Sequence, residues 1–178
     1  MEKNKKITAA LKVTILHLVM QHIDFRNVYS IDAIMDQIEQ LVLKDFITKE
    51  DAETINPWKI YNFFKTDVGL RMIASSNVKR ETPFFIETQA SDVFPELSSE
   101  IYRNETIVLQ GVIDCYFEES GYLVLIDYKT DYVDEAESIS DKYNKQIDLY
   151  ARALEKIKGK KVKERYLYLF FNGDLMKI

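Results

Sequence analysis

The stretch from Gly111 to Asp131, GVIDCYFEESGYLVLIDYKTD, constrains this chain more than any other. Ile107 to Phe117 and Tyr122 to Lys129 are rich in β-branched and aromatic residues and flank a short polar break, so they read as the two strands of a buried hairpin. The same stretch carries Asp114, Asp127 and Lys129, charges that packing alone gives no reason to keep on an inner strand face. With Glu118 to Gly121 as a four-residue connection, Phe117 faces Tyr122, Asp114 faces Leu125 and Asp127 faces Val112. Side chains alternate along a strand, so Asp114, Leu125, Asp127 and Lys129 share one face. The two aspartates are then diagonal neighbours, with Cβ atoms somewhat under ~7–8 Å apart.

The rest of the chain divides by texture. From Ile7 to about Ser76, apolar residues recur at spacings of three and four, as in Ile34, Ile38, Leu41 and Val42, which predicts helices. Their starts are written in capping chemistry: Ser30 before Ile31, Thr48-Lys49-Glu50-Asp51 as a capping box, and Asn56-Pro57 as a cap followed by proline at the first helical position. From Arg80 onward, Pro83–Thr88 and Arg165–Phe171 join the hairpin as strands, and Ile139–Lys158 has helical spacing closed by Gly159. Asn172-Gly173 signals a tight turn into a short last segment, Leu175 to Ile178. The expectation is one α/β domain over 1–178, mainly helical over 1–79 and an α/β core over 80–178.

Composition sets what the chain can be. At 178 residues with 47% hydrophobic content it is long enough to build a core of its own. The single cysteine, Cys115, excludes an intramolecular disulfide and a four-thiolate iron–sulfur cluster, and fits a reducing, cytoplasmic setting. No run approaches the roughly 18 apolar residues of a membrane span, and no secretory signal pattern opens the sequence, so a soluble, unexported protein is expected. A net charge of −5 argues at first against a nucleic-acid partner. The basic residues do gather, at Lys3–Lys6, at Lys79 and Arg80, and from Lys156 to Arg165, but each run taken singly reads as a solvated face.

Two carboxylates converging without a cation would repel, and one would be driven to protonate; a divalent ion removes the conflict. Carboxylate ligands suit Mg²⁺ or Mn²⁺, one ion or two. Lys129, two residues beyond Asp127 on the same face, reaches a water or phosphate oxygen beside such an ion without ligating it. That equipment indicates phosphodiester hydrolysis. Taken alone, the D-x-K triplet reads more readily as a salt-bridged strand edge.

The company the triplet keeps changes that reading. GVID, then DYKTD, then QIDLY on the following helix, together with LHLVMQHID, VKRETPF, YARALEKI and VKERYLYLF, resemble the RecB-like branch of the PD-(D/E)XK nucleases. Within that branch the likeness is to the C-terminal nuclease domains of AddA-type helicase–nuclease subunits, and it covers nearly the whole chain. The resemblance implies a restriction-endonuclease-like core, a mixed β-sheet flanked by helices. It implies that His17, Asp114 and Asp127 bind the metal together with the main-chain carbonyl of Tyr128. Lys129 would orient or activate the attacking water, and Gln146 and Tyr150, four apart on one helix face, would support the site or contact DNA. His22 is the lesser candidate for the histidine. Glu81 reads either as a further site carboxylate or, more strongly, as a solvent-facing strand start. Where the family has a glycine-threonine pair before the histidine, Val13 precedes Thr14 here, so packing of that helix is expected to differ.

The resemblance further implies DNA, preferably single-stranded, as substrate, delivered by the helicase part of the same parent chain, which pairs with a second nuclease subunit in double-strand break repair and recombination. No G-x-x-x-x-G-K-[ST] phosphate loop is present, so the motor is not in this chain, and Met1 then reads as a cloning start. Weak, salt-sensitive DNA binding is expected of the free domain. The competing reading is a non-catalytic docking or DNA-binding module that keeps the nuclease fold; the intact Asp114, Asp127 and Lys129 set favours the enzyme.

Overall fold

The computed structural model of the chain describes residues 8–93, 105–130 and 136–178; Lys3–Lys6 and Asp131 lie outside them. Helices fill the N-terminal part: α1 (Ala9–His22), α2 (Ile31–Leu43), α3 (Lys49–Glu53), α4 (Pro57–Lys65) and α5 (Asp67–Ala74). The capping chemistry works as expected. Ser30 accepts from Ala33 N–H, Asn56 from Trp58 N–H, and the Thr48 and Asp51 side chains each accept from the other's backbone N–H. Beyond them come β1 (Val78–Gln89), the short α6 (Ala90–Val93), β2 (Thr106–Glu119), β3 (Tyr122–Lys129), α7 (Ala136–Lys158), β4 (Val162–Leu169) and β5 (Asp174–Lys177).

The strands form one five-stranded sheet in the order β1-β2-β3-β4-β5. β1 and β2, and β2 and β3, pair antiparallel. Leu123 N–H donates to the Lys161 carbonyl and Phe170 N–H to that of Lys129, bonds that advance in one direction along both chains, so β3 and β4 run parallel with α7 as their crossover. The sheet is therefore mixed, as expected for the α/β class. Several elements differ from the sequence reading: β4 runs Val162–Leu169 instead of Arg165–Phe171, and α6 is additional. β1 begins at Val78 rather than Pro83, because pairing with β2 extends over polar residues that no hydrophobic pattern marks. The turn before β5 spans residues 170–173 and not Asn172-Gly173 alone, with Gly173 at φ 82° and its N–H on the Leu169 carbonyl.

Backbone contacts gather the chain into two compact units. The first holds the described parts of Met1–Ser76, Tyr128–Tyr132 and Leu167–Met176; the second holds those of Asn77–Asp127, Val133–Tyr166 and Lys177–Ile178. In the first, Val19, Ile34, Ile60, Phe63, Val68 and Met72 are buried with an aromatic group in which Phe63 meets Tyr128 and Tyr168 edge-on at 5.4 and 4.9 Å. In the second, Ile113, Phe117 and Val124 of the hairpin are buried, as are Ile147, Ala153 and Leu154 of α7. Each of these aliphatic and phenylalanine side chains larger than alanine contributes about 1.5–3 kcal/mol of burial free energy. No helix among the described residues is long and apolar enough to cross a membrane.

Candidate active site

The hairpin closes more tightly than a four-residue connection allows. Ser120 and Gly121 alone form the loop, with φ of 53° and 82°, and Glu119 pairs with Tyr122. Two positive φ values in succession are what a type I′ turn requires, and its twist matches that of the strands it joins. Glu118 and Glu119 are thus drawn into the ladder, where Glu118 accepts from Asn77 and pairs with Lys160, and Glu119 pairs with Lys163. The register moves by two residues from the expected one. An even shift keeps each side chain on its face, but it turns the aspartates from diagonal neighbours into direct ones. One step beyond the Cys115–Ile126 pair, that register sets Asp114 opposite Asp127, with Cβ atoms about 4.5–5.5 Å apart.

A third carboxylate stands in the same row. On β1, Arg80 pairs with Cys115 and Thr82 with Ile113, which leaves Glu81 across from Asp114. Glu81 is the residue between those pairs with φ of 45°, a left-handed conformation that costs a non-glycine residue roughly 1–2 kcal/mol. One oxygen of its carboxylate lies within 4.8 Å of one from Asp114. Glu81 is half-buried and turned toward Asp114, which goes against the stronger of its two sequence readings, a solvent-facing strand start. The signal that could have found it is the register alone, since Glu81, Asp114 and Asp127 fall in line only once all three strands are aligned.

The row is shielded from water: Asp114 is 8% exposed and Asp127 2%. Gln146 and Tyr150 come from α7, where Gln146 Nε2 donates to the Tyr150 hydroxyl at 2.9 Å. Burial pushes the Tyr150 hydroxyl above the ordinary tyrosine range, the hydrogen bond from Gln146 opposes that rise, and the charges of Asp127, Asp114 and Glu81 add to it. Tyr150 therefore stays protonated at neutral pH and keeps an O–H to donate. Its ring packs edge-on against Phe84 at 5.6 Å, and both crowd onto Gly111, where a Cβ would come within 2.8 Å of the Phe84 ring and 3.6 Å of the Tyr150 ring. The glycine of GVID thus makes room for the rings that hold the Gln146–Tyr150 pair.

Asp114, Asp127, Gln146 and Tyr150, with Glu81, fall in the second unit; His17, Tyr128 and Lys129 fall in the first. His17, on α1, is half-buried with its ring edge toward Tyr128, centroids 6.1 Å apart. The Tyr128 side chain is 3% exposed and committed to the aromatic core against Phe63 and Phe170, so any part it takes in metal binding would come through its main-chain carbonyl. Lys129 is half-buried at the end of β3. His22 ends α1 at an exposed position, with its ring 4.4 Å from that of Phe46.

The chemistry of the donors suits a hard divalent cation. Glu81 and Asp114 bring carboxylate oxygens within 4.8 Å of one another, and the strand register sets Asp127 beside Asp114, so the donors are the hard oxygens that such an ion prefers. Cys115, fully buried, follows Asp114 on β2 and so projects from the opposite face of the strand. The basic run after α7 is occupied elsewhere: Lys160 and Lys163 pair with the hairpin glutamates, Lys161 with Glu155, and Arg165 with Asp148.

The chain is similar to known proteins over its whole length. The AddA-type ATP-dependent helicase/nuclease subunit of Thermoanaerobacter sp. (strain X514) is 50% identical over 179 residues, covering 99% of this chain and 14% of that protein. The proteins of the same name from Clostridium novyi (strain NT) and Clostridium kluyveri are 49% and 47% identical over 180 and 178 residues, each covering 100% of this chain and 15% and 14% of their own. The chain spans about one seventh of the length of these relatives. Among solved structures, that of SSO0001 is a distant likeness, with a TM-score of 0.41 and 12% identity over 92% of this chain and 64% of that one. The sequence pattern of the PD-(D/E)XK nuclease superfamily matches residues 6–176, and the chain belongs to that superfamily.

Proposed function

We propose that this chain is a metal-dependent deoxyribonuclease domain in which Asp114 and Asp127 hold Mg²⁺ or Mn²⁺, joined by Glu81, His17 and the Tyr128 carbonyl. The observation that carries the reading is the row of acids across β1, β2 and β3, with the carboxylates of Glu81 and Asp114 within 4.8 Å and Lys129 two residues past Asp127. A divalent ion held there supplies Lewis-acid polarisation of the phosphate and lowers the pKa of water. Lys129, with three N–H donors and no acceptor, orients the attacking water and pairs with negative charge growing on the phosphate oxygens. Tyr150 donates its retained O–H toward the carboxylates or the phosphate, and Gln146 fixes the hydroxyl that does so. Burial of Asp114 and Asp127 keeps competing water away and strengthens each of these contacts.

The substrate is single-stranded DNA. Relatives that match this chain over about one seventh of their length are named ATP-dependent helicase/nucleases, which supports a helicase motor in the rest of a parent chain. On this reading the motor feeds the strand to this domain in the cytoplasm, during break repair and recombination, beside a second nuclease subunit. The test is cleavage of labelled single-stranded DNA with Mg²⁺ or Mn²⁺. Asp127→Ala and Lys129→Ala should each lower the rate about 100-fold or more while leaving the melting curve cooperative. Cleavage that survives both substitutions removes the assignment.

A further inference from the structure

Lys12 on α1 and Lys59 on α4 differ from the basic run after α7, in that neither has a carboxylate partner among the described residues. They line one cleft of about 170 Å³ in the first unit, with Thr54, Asn56, Thr130 and Phe171. Phe171 is 47% exposed although it follows the fully packed Tyr168–Phe170 segment, and the Lys59 ammonium stands 5.4 Å from its ring centroid. Thr130 is the residue after Lys129, and Phe170 N–H donates to the Lys129 carbonyl, so the cleft opens at the end of the strand that carries the proposed catalytic lysine. Lys12 lies five residues before His17 on the same helix, about 7.5 Å along its axis at 1.5 Å per residue.

We infer that this cleft is a nucleotide subsite for the DNA strand next to the scissile phosphate, with a base stacked on the exposed ring of Phe171 and the backbone phosphates met by Lys12 and Lys59. This rests on the nuclease reading given above. A cleft of this volume holds one base. A flat ring face accepts any base, and the two ammonium groups meet the backbone charge. Asn56, Thr54 and Thr130 supply donors and acceptors for the sugar and base edges.

Binding of a fluorescein-labelled oligothymidylate, followed by anisotropy without divalent metal at several salt concentrations, tests the inference. Phe171→Ala should weaken binding about five- to tenfold. The Lys12→Ala, Lys59→Ala double variant should lower the slope of log K against log salt by about 1.4, that is about 0.7 for each phosphate no longer neutralised. An oligomer with an intact backbone but no bases should bind wild type and Phe171→Ala alike, which a merely structural role for Phe171 does not predict. Wild-type affinity in Phe171→Ala, an equal loss on the base-free oligomer, or an unchanged salt slope in the double variant overturns the subsite. Cleavage is read separately with Mn²⁺, so a wild type that cuts DNA while its binding ignores these residues overturns the subsite and leaves the nuclease reading standing.

Discussion

Glu81 carries a cost that its backbone makes measurable. With φ of 45° it occupies a conformation that glycine adopts freely, and it does so beside two further carboxylates. Glu81→Gly should therefore raise stability, by about 1 kcal/mol or roughly 2–4 °C in the melting temperature, while lowering the rate of DNA cleavage. Thermal denaturation followed by circular dichroism, run beside the cleavage assay, checks both halves; a variant that melts lower than wild type contradicts the strain argument. Asp114, Asp127 and Lys129 stand out in the sequence only through the motifs around them, since the D-x-K triplet alone reads as a salt-bridged strand edge. Glu81 does not stand out, since in RETPF nothing local distinguishes a strained inward glutamate from one that opens a strand in solvent.

Among the elements, the corner between α4 and α5 is close-packed through backbone. Thr66 both ends one helix and caps the next: its hydroxyl donates to the Phe63 carbonyl at 2.6 Å and accepts from Gly69 N–H at 3.1 Å. That brings the helices so close that a Cβ on Gly69 would lie 2.2 Å from the Phe63 carbonyl oxygen, which is backbone and cannot swing aside. Gly69→Ala should cost about 3 kcal/mol, or roughly 6–12 °C in melting temperature, measured by calorimetry. An unchanged melting point would mean that the corner opens freely. At this scale the helices were readable through their caps, Ser30, Thr48 and Asn56, because capping is local chemistry. The hairpin register was not, because Ser-Gly is a weaker type I′ signal than Asn-Gly, and because Glu118 and Glu119 look like loop residues until their lysine partners are known.

At the scale of the whole molecule, ionisation links stability to pH. Burial first, and the Asp174 charge second, push the Tyr168 hydroxyl up to about 12, against an ordinary value of 10.0. A raised acid binds its proton more tightly when folded, so its stabilising contribution is intact below pH 10 and is lost as pH climbs from there through about 12. Tyr168→Phe should remove part of the alkaline fall in stability within that window, seen in urea titrations at stepped pH; an identical fall in the variant would assign it to other groups. The α/β class and the order of strands and helices were readable from one sequence, since hydrophobic period and turn residues carry them. The pairing of the basic run was not, because it joins Lys160 and Lys163 to glutamates some forty residues earlier in the chain. That pairing has a kinetic corollary. Cations already engaged in holding the hairpin do little to retain a polyanion, so under the proposed nuclease function the domain should cut distributively and release product quickly.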